Sequence, residues 1–598
     1  MQSRENIYLE RKKSNEERIL DINKQTNLYS ILRVIIFVSA IITTYFVYKK
    51  TTFTYAILIL LAHIALFIYT VKLYEKTEDK KKKLEKVIKI NLEHIKRLNG
   101  EWKKFDDKGE EYLDGEHGFT NDLDIFGKSS LFQWINVTGT SFGRKKLKEI
   151  LRINELPNKQ EIILRQETLR ELGEKIDFRE KLQVETMDIE ESDDEIAAFK
   201  KWCKDRNNRI ISLPTKIIRL VCPIINIAVI VAVILGVFRW EFLILLLAGD
   251  YLILRTLTKE TVEVLKLFSV IKKNLQAYFK IIELIENEDF NAETLSNLKA
   301  ATIINGEKSS KKFKQLADCA IWIYDRGNGF YFLLNALLMF DFQILYKLEM
   351  WRIENGDYVD GWFETIGDIE AISSLSLLSY NNPNWCIPNI EDGLIIKGDE
   401  VAHPTLMDKA VSNSFVLDKG KSIMLITGSN MSGKSTFLRT LGFNLILTYL
   451  GSPVRAKSFN AGIFNVYTCM RTGDNLEESI SSFYAEILRV KNIVEASKRD
   501  EKIFFLLDEI FKGTNSLDRH TGATILINQL STEKAMGLVS THDLELCDLE
   551  TTNKKVVNYN FREYYENNQL RFDYKLRYGK SETKNAIYLM KMAGIEIK

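Results

Sequence analysis

The chain has 598 residues, enough for several domains, and 27% of them are charged, yet the formal net charge is only +2. That balance excludes bulk electrostatic attraction as a route to nucleic acid. Six scattered cysteines with no C-x-x-C pair and six histidines with no H-x-x-x-H pair point to isolated reduced thiols, away from a disulfide scaffold or a zinc site.

Residues 1–27 are polar and charge-dense, with Arg4, Arg11, Lys12, Lys13, Arg18 and Lys24, and read as a solvated cytoplasmic helix. Two apolar runs follow within 28–72, Ile31 to Tyr48 and Tyr55 to Val71, joined by KKTTFT. Each is close to the ~20 residues that cross a bilayer. They are apolar all round, where a soluble helix keeps a polar face, so the pair is expected to be a transmembrane hairpin. His63 reads as a tolerated residue between its helices. Lys80 to Lys83 follow the second run and basic residues precede the first, which places both ends of the hairpin in the cytoplasm.

Residues 73–210 read as a helical domain, punctuated by Gly143 and Pro157. A second apolar pair lies in 211–256, Ile217 to Phe238 and Glu241 to Leu254. Pro223 can kink the first of these, and Asp250 weakens the second unless it is paired. Residues 257–390 read as long helices. Within them FLLNALLMFDFQILYKL (332–348) is apolar, but Asn335, Asp341 and Gln343 argue for one buried soluble helix and against a fifth span.

Residues 391–598 alternate short β runs with helices, an α/β pattern with a largely parallel sheet. Here KSIMLITGSNMSGKSTFLRT (421–440) places G-x-x-x-x-G-K-S between a strand and a helix, the context a phosphate loop requires. Gly428 and Gly433 let the backbone curl around an anion. Lys434 reaches the β/γ-phosphates of ATP and Ser435 ligates Mg²⁺. IFFLLDE (503–509) reads as a buried strand beside the phosphate-loop strand. Asp508 would help hold Mg²⁺ and Glu509 would polarise the attacking water. The serines of ESISSFYAE (478–486) serve as helix N-caps or as hydroxyls for a γ-phosphate. His542, near the end of GLVSTHD (537–543), sits where it could sense that phosphate.

TGSNMSGKST, ISSFYAEILR, LLDEIFKGTNS and STHD resemble, in this order, the MutS family of ABC-type ATPases. LFQWINVTGTSFGRKKLKEIL resembles that family's core helices, FETIGDIEAISSLSLLSY its lever helix, and VAHPTLMDKAVSNSFVLDKG the opening of its ATPase domain. The resemblance implies a homodimer with composite sites. Asn430, Gly433, Lys434, Ser435 and Thr436 of one subunit would hold phosphate, and Ser481 and Ser482 would reach it from the other. Phe415 falls where the family stacks an aromatic on adenine, Tyr574 would supply the opposite face, and KNAIYLMKMAGI resembles the closing helix. Phe511-Lys512 replaces the family's glycine-arginine, and Ser479-Ile480 precedes the signature serines in place of a glycine. A mismatch-recognition domain and its Phe-x-Glu wedge are missing from the pattern, and membrane spans stand in their place.

The expected architecture is therefore multidomain: all-α transmembrane and lever/core helices plus a C-terminal α/β P-loop ATPase domain, with ATPase domain and termini on the cytoplasmic side of an inner membrane. Two function classes follow, with a transporter a weaker third because nothing in the chain resembles a transporter's transmembrane domain. One is a membrane-anchored ATPase with DNA as the ligand the family implies. The other is a membrane-remodelling or signalling ATPase without DNA.

Overall fold

Neither glycine nor proline occurs in residues 2–50 or 53–98, and each stretch is one unbroken helix, Gln2–Lys50 and Phe53–Leu98. The polar segments that the sequence divided from the apolar runs are continuous with them, because no residue there interrupts the backbone hydrogen bonds. The two helices form an antiparallel hairpin. Tyr48 meets Phe53 edge-on at 6.5 Å near the link, Arg33 lies 4.2 Å over the Tyr74 ring, and Tyr8 stacks on buried His94 at 5.0 Å near the base. Ile31, Val34, Phe37, Leu58, Leu61 and Leu66 are exposed along the apolar half.

The computed structural model describes residues 2–206, 211–258, 262–470, 482–499, 501–512, 514–566 and 569–581. The chain divides into two compact units, Met1–Trp102 with Ile176–Glu288 and Ile303–Trp362, and Lys103–Lys175 with Asp289–Thr302 and Phe363–Lys598.

In the first unit the hairpin base is tied by Arg11 to Asp177 (2.5 Å) and Glu180 (3.1 Å), with Asn91 donating to Glu180 at 2.8 Å. The second apolar pair forms helices Leu213–Ile234 and Trp240–Thr258. Among the described residues three helices are long and apolar enough to cross a membrane: the two of the hairpin and Pro214–Ile234. Pro223 lies inside the last of these. It has no N–H to offer the carbonyl one turn back, that of Arg219, and the Gln343 side chain donates to that carbonyl instead, at 2.8 Å.

The 332–348 run is not one helix. It breaks at buried Met339 (φ 49°) into Gly329–Leu338 and Phe340–Asn355. Its polar residues are accounted for by that break. Asn335 accepts from the Asp341 N–H at 2.8 Å, and Asp341 accepts from Tyr331 (2.5 Å) and Arg326 (2.8 Å).

The second unit is built on a six-stranded sheet in the order Gln569–Tyr578, Val556–Glu566, Ile423–Thr427, Ala535–Thr541, Ile503–Asp508, Asn465–Cys469. All neighbours are parallel except the first pair. IMLIT, IFFLL and AMGLVST are buried at every position, as a parallel sheet covered on both faces demands. The acidic strand does not lie beside the phosphate-loop strand. Ala535–Thr541 is interposed, with Ser540 paired to Asp508 on one side and to Ile426 on the other. Gly537 allows this close fit, since a Cβ there would come within 2.3 Å of the Phe505 carbonyl.

The free edge at Asn465–Cys469 is covered. Gly118 accepts from the Thr468 N–H at 2.7 Å, and Asp122 accepts from the Thr468 hydroxyl (2.8 Å) and the Met470 N–H (3.0 Å). In helix Val359–Asn381 Glu370 is buried and accepts from the Gly139 N–H at 2.7 Å and from the Thr140 hydroxyl, while Phe142 stacks on Phe363 at 4.2 Å.

Candidate functional site

The phosphate loop leaves strand Ile423–Thr427 and enters helix Lys434–Tyr449. Two glycines shape it. A Cβ on Gly428 would lie 2.7 Å from the Ser432 hydroxyl and 2.9 Å from the Phe561 carbonyl; one on Gly433, whose φ is 106°, would lie 3.1 Å from the Tyr574 ring. The loop therefore presents backbone N–H groups and a helix N-terminus to a cavity of about 680 Å³. Asn430, Gly433, Lys434, Ser435, Thr436, Glu509 and Tyr574 line it.

Lys434 is buried, and its amine donates to the Gly428 and Ser429 carbonyls at 3.0 and 3.1 Å. It lies 3.4 Å from His542 Nε2 and 3.6 Å from Glu509 Oε1. Burial lowers its pKa. Glu509, at φ 51°, also meets His542 Nε2 at 2.7 Å and the Lys512 amine at 2.5 Å. The His542 hydrogen bond, with Lys512 beside it, holds its carboxyl well below the usual range. His542 can touch both groups because the interposed strand delivers it between them. Asp508 accepts a hydrogen bond from the Ser540 hydroxyl. Ser435 lines the cavity and Asp508 ends strand Ile503–Asp508 outside its lining; both offer oxygen donors, the kind Mg²⁺ takes together with substrate phosphates and water.

Phe415 does not present a ring face to this cavity. Alternation along Asn413–Asp418 turns it inward, 3% exposed and edge-on to Phe437 at 5.7 Å. Tyr574 does reach the cavity, 43% exposed, over Gly433. Ser481 and the KNAIYLMKMAGI segment lie outside the described residues, as does the side chain of Ser482, which opens helix Ser482–Lys498. Phe511, at the family's glycine position, keeps a left-handed backbone (φ 63°) that glycine would favour. Its ring packs edge-on to Phe483 at 6.3 Å and its N–H donates to Glu486.

Two residues escaped sequence reasoning. His403 lines the cavity and accepts from the Thr405 N–H at 3.3 Å. Burial, aided by Arg439 and Arg455, pushes its pKa down to about 4, so the ring is neutral. Glu563 is buried and accepts from the Ser429 hydroxyl at 2.8 Å. A partner 134 positions away leaves no spacing signal for Glu563; His403 lay within the VAHPTLMDK segment that carried the resemblance, but nothing in its spacing singled out the ring.

Residues 424–597 match the family model for MutS domain V. The chain is 31% identical over 238 residues to a DNA mismatch repair protein MutS of Persephonella marina, covering 39% of this chain and 27% of that protein. It is 30% identical over 262 residues to the protein of the same name in Aquifex pyrophilus, covering 43% and 30%. The corresponding figures for Clostridium botulinum (strain Okra / Type B1) are 30% over 271 residues, 44% and 29%. The chain thus spans less than a third of the length of these relatives.

Proposed function

The chain belongs to the MutS family through its C-terminal domain, and on that premise we propose that it is a membrane-anchored ATPase. It binds and hydrolyses ATP at composite sites of a homodimer and turns closure of those sites into movement of its helices. The observation that carries this reading is the cluster at the sheet's C-terminal edge, where His542 touches Glu509 at 2.7 Å and lies 3.4 Å from Lys434.

Lys434 spends its hydrogen bonds on loop carbonyls and faces Glu509. A triphosphate in the loop draws the amine to its β/γ-oxygens, which frees Glu509 from one of its cations. Glu509 then orients the attacking water and accepts its proton, with His542 holding the carboxylate in place. Ser435 and Asp508 would hold Mg²⁺, which would neutralise phosphate charge. Tyr574 covers one face of the cavity for the base, and Ser481 and Ser482 of a second copy complete the γ-phosphate shell.

The relatives' name says DNA mismatch repair, and DNA is the ligand that name suggests. The three membrane-length helices favour the second reading, a remodelling or signalling ATPase whose output is the bilayer. A salt titration separates them. Duplex binding by the detergent-purified protein should weaken steeply with salt through counterion release; undetectable binding at low salt, with and without ATP, removes DNA and leaves the second reading. Protease protection in vesicles tests the anchor, and wholly accessible residues 217–254 would overturn the second hairpin's membrane placement.

A further inference from the structure

The second apolar hairpin and the broken helix beside it share a polar centre that the ATPase cycle does not use. Asn226 is 0% exposed and Asp250 is 5% exposed. The Asn226 amide donates to Asp250 Oδ2 at 2.7 Å and to the Leu337 carbonyl at 3.0 Å. Its own oxygen, Oδ1, is buried with no hydrogen-bond partner. Among the described side chains, which do not include that of Arg255, no lysine or arginine pairs with Asp250. A carboxylate between apolar helices that has one amide donor and no cation is costly.

The third oxygen has a structural origin. Leu337 lies in the last turn of Gly329–Leu338, which stops at Met339. A helix end carries negative partial charge on such carbonyls. Broken-helix ends facing a carboxylate are how membrane proteins assemble cation sites from few groups.

We propose that Asp250, Asn226 and the Leu337 carbonyl form a binding site for a small monovalent cation. Which end of an amide is oxygen is set by its partners. Turning the Asn226 amide over puts Oδ1 where Nδ2 stands, 2.7 and 3.0 Å from the two other oxygens. An amide oxygen in that position is repelled by both neighbours unless a positive charge sits among them. One charge balances Asp250, and a single carboxylate suits a monovalent ion better than a divalent one, which gathers more carboxylates. In the present arrangement the amide hydrogens take the cation's place. The site rests on the membrane reading for its dryness, while its ligand set is defined by the first unit alone.

The test is ²²Na⁺ binding to the full-length protein in detergent by scintillation proximity, with choline as the inert ion. Wild type should bind saturably, about one ion per chain, and Asp250→Asn and Asn226→Leu should each weaken binding by about tenfold or more. A single gel-filtration peak checks that the variants are folded. As a second readout, wild type should melt about 2–4 °C higher in sodium than in choline chloride of equal strength, a shift that Asp250→Asn removes. Absence of saturable binding by wild type, or binding retained in Asp250→Asn, overturns the site. So does an Asp250-dependent response to pH with none to sodium, which would make the ligand a proton. Protease-accessible helices with sodium binding intact would overturn the membrane placement and leave the site standing.

Discussion

Glu509→Gln separates chemistry from binding at the strand edge. The amide keeps the volume of the carboxylate and can still hydrogen-bond His542, so the cavity and the Lys434 loop stay as they are. What it removes is a proton acceptor and one negative charge. Its pairs are with Lys512, 65% exposed, and with Lys434 at 3.6 Å, and solvent screening limits the first to within about 1 kcal/mol. Loss of a positioned base costs about 10²- to 10⁴-fold in rate, or about 3–5 kcal/mol of barrier. Phosphate release at saturating ATP should fall by that factor while filter-retained ATP rises, and at neutral pH the melting temperature should fall slightly because the carboxylate's ion pairs are lost. The same substitution carries a pH signature. His542 and Lys512 depress the Glu509 carboxyl, so its stabilisation is complete above the unfolded carboxyl's pKa of about 4.3 and is lost as pH falls below it. The variant should lose less stability than wild type on the acid side. Turnover within about threefold of wild type would take Glu509 out of its role.

Two further outcomes are expected. Phe511→Ala and Phe511→Gly both delete the ring, but only alanine keeps the cost of a left-handed backbone. The glycine variant should therefore be more stable by about 1 kcal/mol in thermal melts, and equal stabilities would remove the positive φ from the account. His403 has a folded pKa of about 4 against about 6.5 unfolded, so the unfolded chain takes up its proton first. Stability should be full above pH ~6.5 and fall by up to about 3 kcal/mol by pH 4; a His403→Asn variant with the same acid slope would refute the assignment.

The phosphate loop was legible because its chemistry is local. Gly428 to Ser435 are contiguous, and a loop between strand and helix needs only those residues in that order. Strand order was not, because apolar runs such as IFFLL and AMGLV look alike, and nothing local says which lies against IMLIT. Phe415 was misjudged for a related reason: the period-2 alternation that buries it begins only once Asn413–Asp418 is paired. The break at Met339 was hidden because an apolar run is compatible with one helix or two, and the contact that bridges the break, the Asp341 N–H donating to Asn335, exists only once the chain has turned there.

The breaker-free helix Gln2–Lys50 has a mechanical consequence. At 1.5 Å per residue it is a beam of about 74 Å, braced along its length by a second beam and without a joint between its polar and apolar halves. Bending is stiff in such a pair, so a tilt of about 10° at the charged end displaces the far end by about 13 Å, with little of the motion absorbed on the way. Where a hinged stalk would isolate its two ends, this one forces each to report the attitude of the other.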